Sequence, residues 1–388
     1  MQRVEEDMLG KLKKSNLLLS FIIVTTLISG CSNNLGNQEN LSNDNSSEEK
    51  NIATKFTEFS DIFSEYESFS FPDNVNFTPT YLSDDAVVFG EFHDLDSRTN
   101  IGIAKYNLRT KEFDILSESE SKSNFLTIII IMANGEFVVY EEFDQELMVS
   151  KYYLYYFNAK KKELIYEINE VAPIHYTQAI QSEDNIIMNV YNSNNQTYNN
   201  IKFDTISKKN EMIEEQNCGF PILFKDKLYY VLIDNQKFET KIIEYDIEKS
   251  SKNELMSIKG QDKYISGLYT NENDMFVSID SSSTKMYTYD VENNKLTYFF
   301  ESEWMETPSF ENKYLTWLGG SKDPTQGRPQ YYLFDIKKNL NIEYNDSIIL
   351  LSKSGMMWVK FKVDSNSIPK GNIFNPQYSE IRYFEWSK

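Results

Sequence analysis

The sequence predicts an all-β protein, a β-propeller of seven four-stranded blades. Three observations predict it. First, an aromatic residue followed by Asn, Asp or Glu recurs at Tyr106-Asn107, Phe157-Asn158, Phe203-Asp204, Tyr245-Asp246, Tyr289-Asp290, Phe334-Asp335 and Phe384-Glu385, at intervals of 51, 46, 42, 44, 45 and 50 residues. Second, a polar turn leading into an apolar or alternating run lies upstream of each dipeptide. The copies begin at Asp85, Gly135, Asp184, Asp226, Asp274, Asn312 and Gly355. These runs are short, rich in β-branched and aromatic residues, and bounded by Asp, Asn and Gly. Third, no helical pattern of about 10–15 residues intervenes, which argues against a parallel α/β sheet. Four short strands per unit of about 45 residues is a propeller blade.

Blade 1 sets the pattern. Its strands are expected at Thr78–Leu82, Asp85–Phe92, Ile101–Leu108 and Glu112–Ser117. An acidic or amide side chain entering the turn that follows each dipeptide can accept local backbone N–H groups, so the seven dipeptides read as turn and packing residues rather than chemistry. The seventh unit reaches only its third strand at Trp386. An unfinished ring leaves an open sheet edge. Residues Tyr66–Phe71, which read YESFSF, alternate suitably and are expected to complete the last blade.

The body occupies residues 58–388, and two segments precede it. An apolar run, Leu17–Leu27, follows Lys11, Lys13 and Lys14 and ends in Ser29 and Gly30 before Cys31. That is a secretory signal over residues 1–30. Its apolar core is too short to span a bilayer, which needs about 20 residues. Residues Glu5, Glu6 and Asp7 are out of place in a basic n-region, and Met8 is the better start. Residues 31–57 are dominated by Asn, Ser and Glu and read as a flexible tether, with an r.m.s. span of roughly 25–30 Å.

The Ile28-Ser29-Gly30-Cys31 ending resembles the lipobox of bacterial lipoproteins. The resemblance implies cleavage after Gly30 and acylation of Cys31. It places the body at the extracytoplasmic face of a cell membrane. Two or three acyl chains suffice for stable anchoring, where one would not. The scarcity of Ala and Gly beside abundant Asn, Lys, Ile and Tyr suggests an AT-rich Gram-positive source. The turns Ser83-Asp84-Asp85, Ala133-Asn134-Gly135 and Ser352-Lys353-Ser354-Gly355 loosely resemble those of TolB-like propellers, over about residues 75–388. That family usually has six blades, so six is the alternative count.

Charge narrows the partners. Residues 1–30 hold four of the 39 basic and three of the 59 acidic side chains, so the remainder carries a formal charge near −21. Such a surface, taken as a whole, repels nucleic acid and anionic lipid headgroups. With Cys31 lipidated, Cys218 stands alone. No disulfide is expected, and Cys218 reads as a small buried hydrophobe. Two histidines, His93 and His175, are too few for a His-rich metal site. No H-E-x-x-H, nucleophile-elbow or P-loop motif occurs, and no cofactor is implied. The chain is expected to stop inside its last blade, without the hydrolase domain that some peptidases append.

Function on a propeller sits in its loops. The second-to-third-strand and blade-to-blade connections share one face and are the more varied. That face is expected to bind an envelope protein, peptide or glycan, with the protein a monomer. Its candidates are His93, Asp94, Tyr198, Trp304, Asp323 and Arg328. The loop 319–329 has glycines for close backbone approach, and Arg328 is a fixed cation; it also reads as an ordinary hairpin excursion. Trp304 is either a stacking platform or a plug between blades. His93 and Asp94 with Asp96 lack the further oxygen ligands of a calcium loop and read as solvated. The competing function is a glycan hydrolase or lyase using paired carboxylates in the central funnel. A two-lobed α/β solute-binding lipoprotein is a third, weaker reading.

Overall fold

The computed structural model describes residues 56–72, 75–94, 101–121, 123, 125–169, 177–192, 196–214, 216–271, 273–303, 305–319, 330–343, 347–363 and 377–386, all within the compact unit Thr54–Lys388. Strand β1 (Phe56–Glu58), a single helical turn α1 (Phe59–Ile62) and strand β2 (Glu67–Phe69) come first. Twenty-seven further strands follow as seven antiparallel meanders.

Blade 1 holds β3 (Val75–Leu82), β4 (Val87–Asp94), β5 (Ile101–Asn107) and β6 (Phe113–Glu118). The second strand starts later and runs further than expected. Blade 2 holds β7 (Leu126–Ala133), β8 (Phe137–Asp144), β9 (Val149–Tyr156) and β10 (Lys161–Asn169). Blade 3 holds β11 (Gln178–Ser182), β12 (Asn185–Asn192), β13 (Thr197–Asp204) and β14 (Lys209–Glu214). Blade 4 holds β15 (Cys218–Phe224), β16 (Lys227–Asp234), β17 (Glu239–Asp246) and β18 (Ser251–Lys259). Blade 5 holds β19 (Tyr264–Thr270), β20 (Met275–Asp280), β21 (Thr284–Asp290) and β22 (Lys295–Ser302). Blade 6 holds β23 (Glu306–Glu311), β24 (Tyr314–Gly319), β25 (Gln330–Asp335) and β26 (Leu340–Glu343). Blade 7 holds β27 (Ser347–Ser352), β28 (Gly355–Phe361) and β29 (Ser379–Glu385).

The missing strand of blade 7 is supplied from the N-terminus, as the YESFSF segment predicts. Strand β2 pairs antiparallel with β29, with Glu67 opposite Tyr383 and Phe69 opposite Ile381. The first strand of each blade touches that of the next, and β27 touches β3, so the ring is closed. Two features were not legible. Strand β1 adds to blade 6 as a fifth strand, parallel to β26. Helical turn α1 then lays Phe59 and Phe63 against Trp358, at ring separations of 4.9 and 6.3 Å.

The core is a circle of interfaces. Strand β8 is buried along its whole length because it has a neighbour on both sides. Val138 and Tyr140 pack with Phe89 and Ile103 of blade 1, while Val139 packs with Ile186 and Met188 of blade 3. The same alternation recurs around the ring. Seven buried clusters occupy the seven blade junctions, the last joining Phe69, Phe71, Met357 and Ile381 to Phe77, Val88 and Tyr106. Most first strands carry a bulge, as between Pro79 and Tyr81 or Ile130 and Met132, which strengthens the twist a blade needs. Beside the first of these bulges only glycine fits at position 90, where a Cβ would lie 2.1 Å from the Thr78 carbonyl oxygen.

The recurring dipeptides are turn devices. Asn107 Oδ1 accepts the N–H groups of Arg109 and Thr110, Asp204 Oδ1 those of Ile206 and Ser207, and Asp290 Oδ1 those of Glu292 and Asn293. Each turn then passes through a left-handed residue: Lys111, Lys208, Ser250, Asn294 or Asn339. Blade 2 requires a correction. Its third strand ends at Tyr156 and its left-handed residue is Lys160, so Tyr155-Tyr156 holds the dipeptide position and Phe157-Asn158 lies inside the turn.

These acceptors predict an acid limb. Hydrogen bonds from Ser207 hold the Asp204 carboxyl below its usual range, and partners in Lys249 and Asn293 do the same for Asp246 and Asp290. A carboxyl whose pKa is lowered on folding stabilises above its unfolded value and loses that contribution as pH falls through the folded value. The melting temperature should therefore be insensitive to these groups above about pH 5 and fall below about pH 4. Asp204→Asn with Asp290→Asn keeps the acceptor that Asn107 shows to suffice, and should flatten that limb in thermal melts at stepped pH.

Candidate functional site

An antiparallel meander places its connections at two ends of the ring. The turns between first and second strands and between third and fourth strands share the turn end. The remaining connections share the loop end. Loop-end segments 145–148, 193–196, 235–238 and 281–283, in blades 2 to 5, are as short as those of the turn end. Among the second-to-third-strand connections the long ones are 95–100, 320–329 and 362–378, in blades 1, 6 and 7, while the blade-to-blade connections 119–125 and 170–177, on either side of blade 2, are long as well. Those three blades are consecutive around the ring, so the long within-blade connections fall on one arc.

Of the residues expected at a binding face, Trp304, Asp323 and Arg328 lie outside the described residues, as do Gly30 and Cys31. Asp94 ends β4, and its side chain also lies outside them. His93 and Tyr198 were expected in loops, and both are strand residues. Cross-strand pairing of His93 with Ile101 and of Tyr191 with Tyr198 carries the ladders that far. His93 Nε2 meets Glu91 Oε1. Glu91 is already committed, because its Oε2 accepts the Ile128 N–H of blade 2 at 2.8 Å. The Tyr198 ring meets Tyr191 edge-on at 5.4 Å, and its N–H donates to Asn217 Oδ1 at 3.1 Å.

Glu91 belongs to a set that sequence reading missed: polar side chains bridging blades near the loop end. Between blades 1 and 2, Ser119 Oγ donates to Glu142 at 2.6 Å, and Lys162 Nζ of blade 2 itself donates to the same carboxylate at 2.6 Å. Lys162 also lies 3.8 Å from the Tyr153 ring centre, and burial with the Glu142 charge pushes the Tyr153 phenol up to about 12. Between blades 2 and 3, Tyr152 and Thr177 share a 2.9 Å hydrogen bond. Between blades 3 and 4, Asn189 Nδ2 donates to the Cys218 carbonyl at 3.0 Å, while Tyr230 and Lys252 donate to Glu214 at 3.0 and 2.9 Å. Between blades 4 and 5, the Ile265 N–H donates to Thr240 Oγ1 at 2.9 Å. A hydrophobic period reveals none of these, because the partners lie 16 to 38 residues apart in the chain. Their only signal is a polar residue in an apolar run, such as Glu141-Glu142 or Asn189.

These groups are clamps. Glu91, Glu142 and Glu214 each hold a partner from a neighbouring blade. Glu141 accepts from Ser150 within its own blade, and Asp335 is paired with Lys313 at 3.2 Å. Cys218 is buried, and burial with the nearby Glu214 charge keeps it a thiol, as its small-hydrophobe reading implies. Among the described residues no three His, Cys, Asp or Glu side chains gather to hold a metal ion, and no helix is long and apolar enough to cross a membrane.

A cleft of about 310 Å³ opens at the turn end, among blades 5, 6 and 7. Lys313, Lys337 and Lys353 line it with Asp274, Glu311 and Trp386. The Trp386 indole N–H donates to the Ser352 carbonyl at 2.8 Å, and its ring stacks on Tyr314 at 5.2 Å.

No protein-family model and no curated protein matches the chain. Solved structures do. An oligogalacturonate lyase from Vibrio parahaemolyticus is similar at 12% identity and a TM-score of 0.51, over 82% of this chain and 96% of that one. The β-propeller domain of the Trilobed protease from Pyrococcus furiosus is similar at 13% and 0.52, over 75% and 90%. TolB from Acinetobacter baumannii is similar at 10% and 0.44, over 69% and 78%. These likenesses show the fold alone. The Pyrococcus domain has an open velcro topology, whereas β2 completes the last blade here. The all-β ring excludes the two-lobed α/β reading.

Removing one partner of a buried ion pair strands the other. Lys162→Met should destabilise the protein by about 3 kcal/mol, because Glu142 is left buried without its cation. Adding Glu142→Gln should recover most of that loss. Chemical denaturation of the single and double variants checks both.

Proposed function

We propose that the protein is a membrane-anchored, extracytoplasmic β-propeller lipoprotein that binds an envelope protein, peptide or glycan without chemistry. The observation that carries the binding role is the arc of blades 6, 7 and 1. There a closed ring bears its three long within-blade connections side by side, one of them the 319–329 loop with Asp323 and Arg328. A guanidinium in an acidic protein suits a carboxylate- or phosphate-bearing partner. The buried carboxylates nearest the loop end already hold hydrogen-bond or ion-pair partners, Glu142 and Glu214 across blade junctions and Glu141 and Glu239 within their own blades. Anchoring rests on Ile28-Ser29-Gly30-Cys31 and the short apolar core before it.

The alternative is a glycan hydrolase or lyase, favoured by the fold likeness to oligogalacturonate lyase over most of both chains. Incubation with oligogalacturonides and with host envelope glycans separates the two. Binding without new reducing ends or unsaturated products supports the scaffold, and turnover supports the enzyme.

Replacing residues 320–328 by a short Gly-Ser hairpin should leave the melting temperature unchanged and abolish partner capture from the parent envelope; retained capture would place binding elsewhere. Cys31→Ala should move the protein from the membrane pellet to the soluble fraction and end incorporation of a palmitate analogue.

A further inference from the structure

The chain joins the ring at the turn end. Strand β1 runs parallel to β26, with Phe56 opposite Asn341 and Glu58 opposite Glu343. Strand β26 leads away from the turn at 336–339, so Phe56 lies beside that turn. The turn carries Lys337 and Lys338, both exposed. Lys337 lines the cleft together with Lys313, Lys353 and Trp386. Asp274 and Glu311 line it too, and Lys353 lies 4.0 Å from Asp84. Elsewhere around the same end the exposed lysines are balanced: Lys111, Lys208 and Lys249 are paired with Glu67, Glu163 and Asp246, and Asp85, Glu136, Asp184 and Asp226 are exposed beside them. The loop end exposes charges of both signs, Glu120, Glu146, Asp262 and Glu303 beside Lys237, Lys259, Lys263 and Lys362.

We infer that the turn-end corner at blades 5 to 7 is the surface that rests on an anionic lipid membrane, with the loop end directed outward. The inference rests on the anchoring through Cys31 proposed above. A chain anchored at Cys31 that joins the ring at Phe56 brings this corner nearest the lipid, because the point of attachment is the part of the ring closest along the chain to the anchor. Lysines in the corner then meet headgroup phosphates, with Trp386 at the level of the interface. That orientation directs the long within-blade connections of blades 6, 7 and 1 away from the lipid, free for a partner.

The test uses the full acylated chain in vesicles of phosphatidylcholine with phosphatidylglycerol, doped with a nitroxide-headgroup lipid. A fluorophore is placed on Asn273→Cys at the cleft, or on Gln236→Cys at the loop end; both positions are exposed. Quenching should be several-fold stronger at position 273. The difference should shrink when Lys337→Glu and Lys338→Glu are added, or at high salt. Equal quenching, or stronger quenching at position 236, in protein that floats with the vesicles would overturn the orientation alone. Failure of the chain to float with them would overturn the anchor and the orientation together.

Discussion

Everything in this molecule depends on closing a ring whose last blade is one strand short. Each blade buries its second strand only because a neighbour covers both faces, so an open ring would expose two sheet faces at once. The closure is three residues of β2 laid antiparallel on β29. It is reinforced by side chains more than by length. Phe69 stacks on Tyr106 at 5.4 Å and Phe71 meets Phe77 edge-on at 4.7 Å, which ties the N-terminal segment to blade 1 as well as to blade 7.

The polar clamps serve the same constraint. A junction sealed only by aliphatic groups would allow neighbouring blades to slide. Glu91 on the Ile128 N–H, Asn189 on the Cys218 carbonyl and Thr240 on the Ile265 N–H each fix one blade's height against the next. Buried hydrogen bonds of this kind add specificity at modest net stabilisation, while leaving any one partner unpaired is costly. That asymmetry explains how acidic groups persist inside an apolar ring.

How much was legible follows from the range of each interaction. Blade number, strand order and the closing role of Tyr66–Phe71 could be read because alternation and turn chemistry act within a few residues. The blade 2 dipeptide was misplaced because Tyr155-Tyr156 breaks the acidic pattern while Phe157-Asn158 imitates it. His93 and Tyr198 were read as loop residues because cross-strand pairing carries β4 and β13 past the apolar stretch. Strand β1, α1 and the inter-blade clamps depend on contacts between distant segments, and nothing in local sequence marks them. The functional loops lack a repeated pattern by nature, so their chemistry does not follow from periodicity.

Hydrogen exchange of the full chain, read by mass spectrometry, tests the closure most directly. If β2 holds the ring shut, the amides of residues 66–71 should be as protected as those of β29 and should lose protection together with them as denaturant is raised. Exchange of residues 66–71 at the rate of a free peptide, with β29 still protected, would contradict the account.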